Sequence, residues 1–261
     1  MAVQLVTIEG NIGTGKSTLA NYVAQYMPSM TFFAAPEPED NPHWQAFLAE
    51  PSSHALALQT WFLRERLRVY IRALRHLEQT KESVILDFSI WSDLIFAAKH
   101  REDGYLSDAE YSSYQELARS IHALNLPPPH LSIVLLAGPD ICLERCKSNR
   151  KRKTSKPQLS HLQRLDELYE ERWLRDLDKS YKLRWLHGQR SSRGCVGEDK
   201  GGLPSAPSLL VLVRDWSDLS NTKPSAIADA IMCTPPVPTE EWLSRFNAAG
   251  NEERVRVLLE A

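Results

Sequence analysis

Glu9-Gly10-Asn11-Ile12-Gly13-Thr14-Gly15-Lys16-Ser17-Thr18 is the stretch from which the rest of this chain is read. Within it, Gly10 to Ser17 fits the pattern Gly, four residues, Gly-Lys-Ser/Thr. The flanks suit that pattern. Residues 3–8 (Val-Gln-Leu-Val-Thr-Ile) predict a short buried strand, and residues 16–27 predict a helix that stops at Pro28. Glycines let such a loop turn so that successive backbone N–H groups converge on phosphate oxygens, and the following helix adds its positive end. The spacing puts Lys16 within reach of the β- and γ-phosphates of a nucleoside triphosphate, and Ser17 at a Mg²⁺ ion. The cofactors expected are ATP and Mg²⁺, with Gly10, Asn11, Gly13, Thr14, Gly15, Lys16, Ser17 and Thr18 as the cradle.

Short apolar runs recur downstream. Residues 31–35, 83–86, 131–136 and 208–213 each suit a strand buried on both faces, and helical patterns lie between them. The longest helix is predicted over residues 54–79, where Leu63, Leu67, Tyr70, Leu74 and Leu77 form one stripe. Strands alternating with helices imply an α/β fold, a five-stranded parallel sheet flanked by helices. In such sheets chemistry gathers at the carboxyl ends of the strands. Glu37 and Asp87 fall at two of those ends. Transfer of a phosphoryl group to an alcohol needs Mg²⁺ and a proton acceptor, roles that suit Asp87 and Glu37 respectively.

Bulk properties narrow the function class. The chain has 261 residues, 43% hydrophobic and 25% charged, with a formal net charge of -2. No global charge draws it to nucleic acid or membrane, and no apolar run reaches a membrane span. Its cysteines (Cys142, Cys146, Cys195, Cys233) show no zinc spacing and are expected to be reduced. A strand starting at residue 3 leaves no room for a presequence, so a cytoplasmic protein is expected, or a mitochondrial one if a presequence was removed. Residues 190–207 read as a Gly/Ser/Pro-rich surface insertion, residues 234–238 as a Pro-rich linker, and residues from 239 onward as a helical tail.

Several segments, taken in order, resemble the deoxynucleoside kinases. The opening Glu-Gly-Asn-Ile-Gly is typical of them. Glu37-Pro38-Glu39-Asp40-Asn41-Pro42 resembles the Glu-Pro segment of the bacterial members. Leu58-Gln59-Thr60-Trp61-Phe62-Leu63 resembles their Leu-Gln-x-x-Phe-Leu helix, and Asp87-Phe88-Ser89 their Glu/Asp-Arg-Ser motif. Residues 131–173 resemble the fourth strand, the lid and the next helix. The resemblance implies a P-loop kinase fold with a lid over residues 1–233, followed by the linker and tail of 234–261. It implies phosphorylation of a nucleoside 5′-hydroxyl, and a homodimer. Glu37 matches the general base, Gln59 the glutamine at the base edge, Arg66 and Asp93 a charged pair beside it, and Asp87 the acid near Mg²⁺. Arg145, Arg150 and Arg152 match lid residues that clamp the donor phosphates. Trp44 and Phe96 are candidates to line the acceptor pocket, although the ungapped match to the family's stacking phenylalanine is Ala97. The seven-residue spacing of Gln59 and Arg66 puts both on one helix face.

Two departures fall on the acceptor side. Phe88 replaces the motif arginine, and Leu48 replaces a tyrosine that contacts the sugar. They leave open a second reading, a nucleotide-binding scaffold subunit of a larger assembly, as in a respiratory complex I accessory subunit of the same family. A third reading, a kinase for a nucleoside monophosphate or another small alcohol, shares the donor loop.

Overall fold

The computed structural model describes residues 3–124, 126–149, 156–169, 171, 182–185, 208–218, 224–234 and 251–260. Five strands form where the apolar runs predict them: β1 (Leu5–Glu9), β2 (Met30–Phe33), β3 (Ser83–Asp87), β4 (Leu131–Leu136) and, at the C-terminal end, Ser208–Asp215. A further short strand, Lys182–Trp185, lies between these last two in sequence, so it is β5 and Ser208–Asp215 is β6. All pairings are parallel, in the order β2-β3-β1-β4-β6-β5. The strand absent from the sequence reading, β5, alternates basic and apolar residues (Lys-Leu-Arg-Trp) and stands at the sheet edge. An edge strand with charged side chains lacks the continuous apolar signature of the inner strands.

Helices cover both faces. Alternation along the strands sends Leu5, Val84 and Leu86 to one face, where α3 (Pro51–Thr80), α4 (Asp93–Glu102), α5 (Asp108–His122) and α7 (Leu159–Leu168) pack. Val6, Ile8 and Ile85 point to the other face, against α1 (Lys16–Tyr26) and α8 (Pro224–Cys233). The Gln4 amide donates to the carbonyls of Ile231 and Thr234, 3.0 and 2.7 Å away, and ties the end of α8 to β1. Pro51 starts α3 at its first turn, where the missing N–H costs nothing. Lys81 ends it in the left-handed region, with φ 60°. A short α2 (Trp44–Ala49) precedes α3, and α6 (Pro139–Ser148) follows β4.

Part of the tail is α9 (Asn251–Glu260). It lies on α3, where Val255 is buried and the guanidinium groups of Arg64 and Arg68 donate to the Leu259 carbonyl. The insertion at 190–207, the linker at 235–238, the start of the tail at 239–250 and the basic run at 150–153 lie outside the described residues. No helix among the described residues is long and apolar enough to cross a membrane.

Candidate active site

At the carboxyl ends of β1 and β3 the sheet opens into a cleft of about 1800 Å³. The phosphate loop forms its floor. Gly10 has φ +139° and Gly13 has φ +83°, conformations that glycine alone adopts without strain. Both are also hemmed in: a Cβ on Gly10 would stand 2.5 Å from the Leu135 carbonyl oxygen, and one on Gly13 would stand 2.4 Å from the Cys142 carbonyl oxygen and 2.7 Å from the Cys146 sulfur. Cys142 and Cys146 therefore pack α6 against the loop, and burial pushes the Cys142 thiol up to about 11. Asn11 braces the loop from within. Its amide donates to the Leu162 carbonyl at 2.7 Å, its Oδ1 accepts from the Ile12 N–H, and its carbonyl accepts from the Thr14 hydroxyl and the Lys16 ammonium, both at 2.9 Å.

Lys16 sits at the base of the cleft, where burial lowers its pKa and the charges of Asp87 and Glu9 oppose that shift. A phosphate group would restore the charge balance of this ammonium. Ser17 donates its hydroxyl to Asp87 Oδ2, while Asp87 Oδ1 is buried without a hydrogen-bond partner. A hydroxyl and a carboxylate with an orphaned oxygen, beside a phosphate loop, are a donor set that fits a hard divalent cation such as Mg²⁺.

The residues expected on the acceptor side gather on the far wall. Glu37 follows β2 and is exposed at the lip of the cleft. Arg66 of α3 and Asp93 of α4 form a buried ion pair, and the Tyr114 hydroxyl donates to Asp93 Oδ2 at 2.7 Å. The Arg66 guanidinium also lies 5.4, 5.0 and 5.8 Å from the ring centres of Phe62, Phe88 and Phe96. Phe96 thus reaches the cleft, whereas Ala97, its neighbour in the ungapped match, is buried in the core. Trp44 lines the cleft and stacks on Phe47 at 6.0 Å. Leu48 stands exposed beside them.

Phe88 occupies the boundary between the two halves. Its ring lies under the Lys16 ammonium, 4.6 Å from ring centre to nitrogen, and under Arg66. Its φ is +75°, which is rare for a residue with a side chain. The backbone N–H of Phe88 still extends the sheet ladder, donating to the Ile8 carbonyl at 3.1 Å.

Two of the expected residues also have partners within the protein. Arg145 lines the cleft beside the phosphate loop. Its guanidinium donates to the carbonyls of Thr14, Trp216 and Ser217 at 3.1, 2.7 and 3.1 Å, which commits it to bracing the loop against the end of β6. Gln59 lines the cleft, but its amide nitrogen is already engaged by His100. Arg150 and Arg152 lie outside the described residues.

Three contributors escaped the sequence reading. Glu9 ends β1 wholly buried and accepts from the Ser92 hydroxyl; burial raises its pKa against the hydrogen bonds from Ser92 and Ser89. Tyr114 anchors Asp93, and His100 holds Gln59. None sits in a spacing pattern. An acid directly before a glycine loop, and a histidine one α-helical turn after Phe96, are the only signals the sequence offers for two of them.

Comparison with known proteins agrees with this geometry. A family model described as deoxynucleoside kinase matches residues 6–191. A deoxyguanosine kinase of Dictyostelium discoideum is 31% identical over 169 residues, which is 64% of this chain and 58% of that protein. The chain therefore spans less than two thirds of that relative. A deoxyadenosine kinase of the same organism is 30% identical over 172 residues, 66% of this chain and 67% of that one. A mitochondrial NADH dehydrogenase [ubiquinone] 1 alpha subcomplex subunit 10 of Bos taurus is 29% identical over 157 residues, 53% of this chain and 46% of that one. Among solved structures, deoxyadenosine kinase from M. mycoides with bound dATP superposes with a TM-score of 0.60 at 18% identity, covering 87% of this chain and 97% of that one, a likeness of fold. With the family model matching residues 6–191, most of the chain, on a parallel sheet whose phosphate loop faces the Arg66–Asp93 pair, this chain belongs to the deoxynucleoside kinase family.

Proposed function

We propose that this chain catalyses ATP-dependent phosphorylation of a nucleoside or deoxynucleoside 5′-hydroxyl to the 5′-monophosphate. One observation carries the reading: the phosphate loop with Lys16 and the Ser17–Asp87 pair shares a single cleft with Glu37, Gln59 and the Arg66–Asp93 pair. A donor cradle and an acceptor set are thus open to one another.

The reaction is in-line transfer of the γ-phosphoryl group, in which the protein mainly positions groups and stabilises charge. Loop N–H groups and the start of α1 hold the donor phosphates. Lys16 neutralises charge that builds on the bridging and transferred oxygens. Ser17 and Asp87 would hold Mg²⁺, which supplies further positive charge at the phosphates. Glu37 accepts the proton of the attacking hydroxyl, and its exposure at the lip keeps it within reach of an incoming sugar. Gln59 meets the base edge, while the aromatic rings of Trp44, Phe88 and Phe96 line the acceptor pocket. Arg150 and Arg152 are assigned to the lid by the family resemblance alone. A cytoplasmic or mitochondrial nucleoside salvage enzyme, working as a homodimer, is the setting this activity implies.

The test is ADP release that depends on added nucleoside. Glu37→Gln is expected to lower turnover by about 10² to 10⁴ while ATP still binds. Undiminished turnover in that variant removes Glu37 from the role of base.

A second reading is favoured by Phe88 specifically. With an aromatic ring where the family motif has arginine, the site lacks one fixed cation near the reacting hydroxyl. The chain would then bind nucleotide without transferring phosphate and serve as a subunit of a larger assembly, a reading that the similarity to the Bos taurus NADH dehydrogenase subunit also permits. ATP binding without any nucleoside-dependent turnover, together with co-purification in a large complex, supports it.

A further inference from the structure

Gln59 is 3% exposed, and its side chain lies between a histidine and the cleft. Its amide nitrogen is 3.2 Å from His100 Nδ1. An amide nitrogen only donates, so Nδ1 accepts, and the ring carries its proton on Nε2. The other end of the amide, Gln59 Oε1, is buried with no hydrogen-bond partner. His100 is not free to turn away. Its ring stacks on Phe47 at 5.1 Å and tilts against Tyr105 at 5.9 Å, and its carbonyl accepts from the N–H groups of Tyr105 and Leu106. Burial holds its pKa down at about 4, with the nearby His161 acting in the same direction, so the ring is neutral at pH 7 and keeps Nδ1 as an acceptor.

A carboxamide has two nearly isosteric ends, and an unconstrained glutamine can exchange them by rotation. We infer that His100 is a positioning residue that locks the Gln59 amide in one orientation, so that the acceptor pocket reads the donor–acceptor order along a base edge. This inference rests on the nucleoside reading of the site and deepens it. The consequence is chemical. Adenine and cytosine carry an exocyclic amino donor beside a ring-nitrogen acceptor. Hypoxanthine, guanine and uracil carry the reverse, an exocyclic oxygen beside a ring N–H. In a fixed sugar frame, a locked amide pairs with one order and sets donor against donor and acceptor against acceptor in the other. Buried polar groups left unpaired are the strongest source of discrimination between similar substrates. With one amide proton taken by His100, the buried Oε1 and the remaining amide N–H are what the pocket offers.

The probes are deoxyadenosine with deoxyinosine, and deoxycytidine with deoxyuridine. The members of each pair differ only along that edge. Their dissociation constants are measured by calorimetry, and kcat/KM for each wherever ADP is released. The wild-type protein is expected to separate the two members of at least one pair by about a hundredfold or more. In His100→Phe, which keeps a ring of similar size but no acceptor, the ratio is expected to fall to within about tenfold. His100→Leu, a smaller variant with no acceptor that also frees the amide, guards against a folding defect in the first. Retained ATP binding and an unchanged melting profile identify folded protein. A purely structural role would weaken both members of a pair equally and leave the ratio alone. An unchanged ratio in both folded variants overturns the inference, as does a wild-type protein that binds both members of each pair equally or binds none. Absence of ADP release with any nucleoside, with the binding ratios behaving as expected, instead sinks the kinase reading and leaves the role of His100 intact.

Discussion

Phe88 combines three features in one residue: a left-handed backbone, a ring between two cations, and a position between the phosphate loop and the Arg66–Asp93 pair. Backbone strain of this kind costs about 1–3 kcal/mol and persists only where surrounding structure enforces it. Its ladder bond to Ile8 and the burial of Asp87 before it supply that enforcement. The strain is separable from the ring. Phe88→Gly and Phe88→Ala both delete the aromatic group, but only glycine accepts φ +75° freely. Phe88→Gly is therefore expected to be more stable than Phe88→Ala by about 1 kcal/mol, read from urea midpoints. Equal stability would mean that the backbone relaxes and no strain is stored there. Much of the site was legible at this scale. Lys16, Ser17, Glu37, Asp87, Gln59, Arg66 and Asp93 all line or adjoin the cleft, because motif spacing and strand-end position are local properties. What sequence does not carry is the commitment of a polar side chain to a partner far along the chain. Arg145 is taken by carbonyls of the loop and of the residues just past β6, and Gln59 by a histidine 41 residues away.

At the level of elements, the inner strands and α3 follow directly from apolar runs and the 3.6-residue stripe. Two of the elements absent from that reading fail for identifiable reasons. The strand β5 is basic and at the edge, and α2 is only six residues long, too short to show a period. α5 carries the clearest local signature of any helix start. Ser107 accepts from the Glu110 N–H at 3.3 Å, and Glu110 reaches back to the Ser107 N–H at 2.9 Å, a capping box. Ser107→Ala is expected to cost about 1 kcal/mol of stability, within roughly 0.5–2, and to leave kinetic constants unchanged. A change in KM instead would mean that the start of α5 transmits to the cleft through Tyr114 and Asp93. α9 contributes differently: it buries Val255 on α3, and the cations of Arg64 and Arg68 meet the negative end of its dipole.

Across the whole molecule, the order β2-β3-β1-β4-β6-β5 sends the chain to opposite sides of β1, and the cleft opens at that switch. Loop, metal candidates and acceptor wall converge there because they follow the carboxyl ends of neighbouring strands. The same sheet ties stability to pH. His130 Nδ1 accepts from the Leu5 N–H at 3.0 Å, and burial holds its pKa near 4, below its ordinary value of 6.5. Because the native pKa is depressed, the unfolded chain binds a proton that the folded one resists, so stability is present above pH 6.5 and is lost as pH falls towards 4. The stability advantage of wild type over His130→Gln is expected to shrink by about 3 kcal/mol between pH 7 and pH 4 in urea titrations. A gap that stays constant with pH would show that His130 titrates normally in the fold.

Joint action of the phosphate loop and the wall opposite it is tested by ADP release from Mg·ATP across the natural ribo- and deoxynucleosides, with Lys16→Ala as control. Turnover with one or a few nucleosides, lost in the control, is the expected result. No turnover with any nucleoside, with ATP still bound, would contradict it and leave a nucleotide-binding subunit in its place.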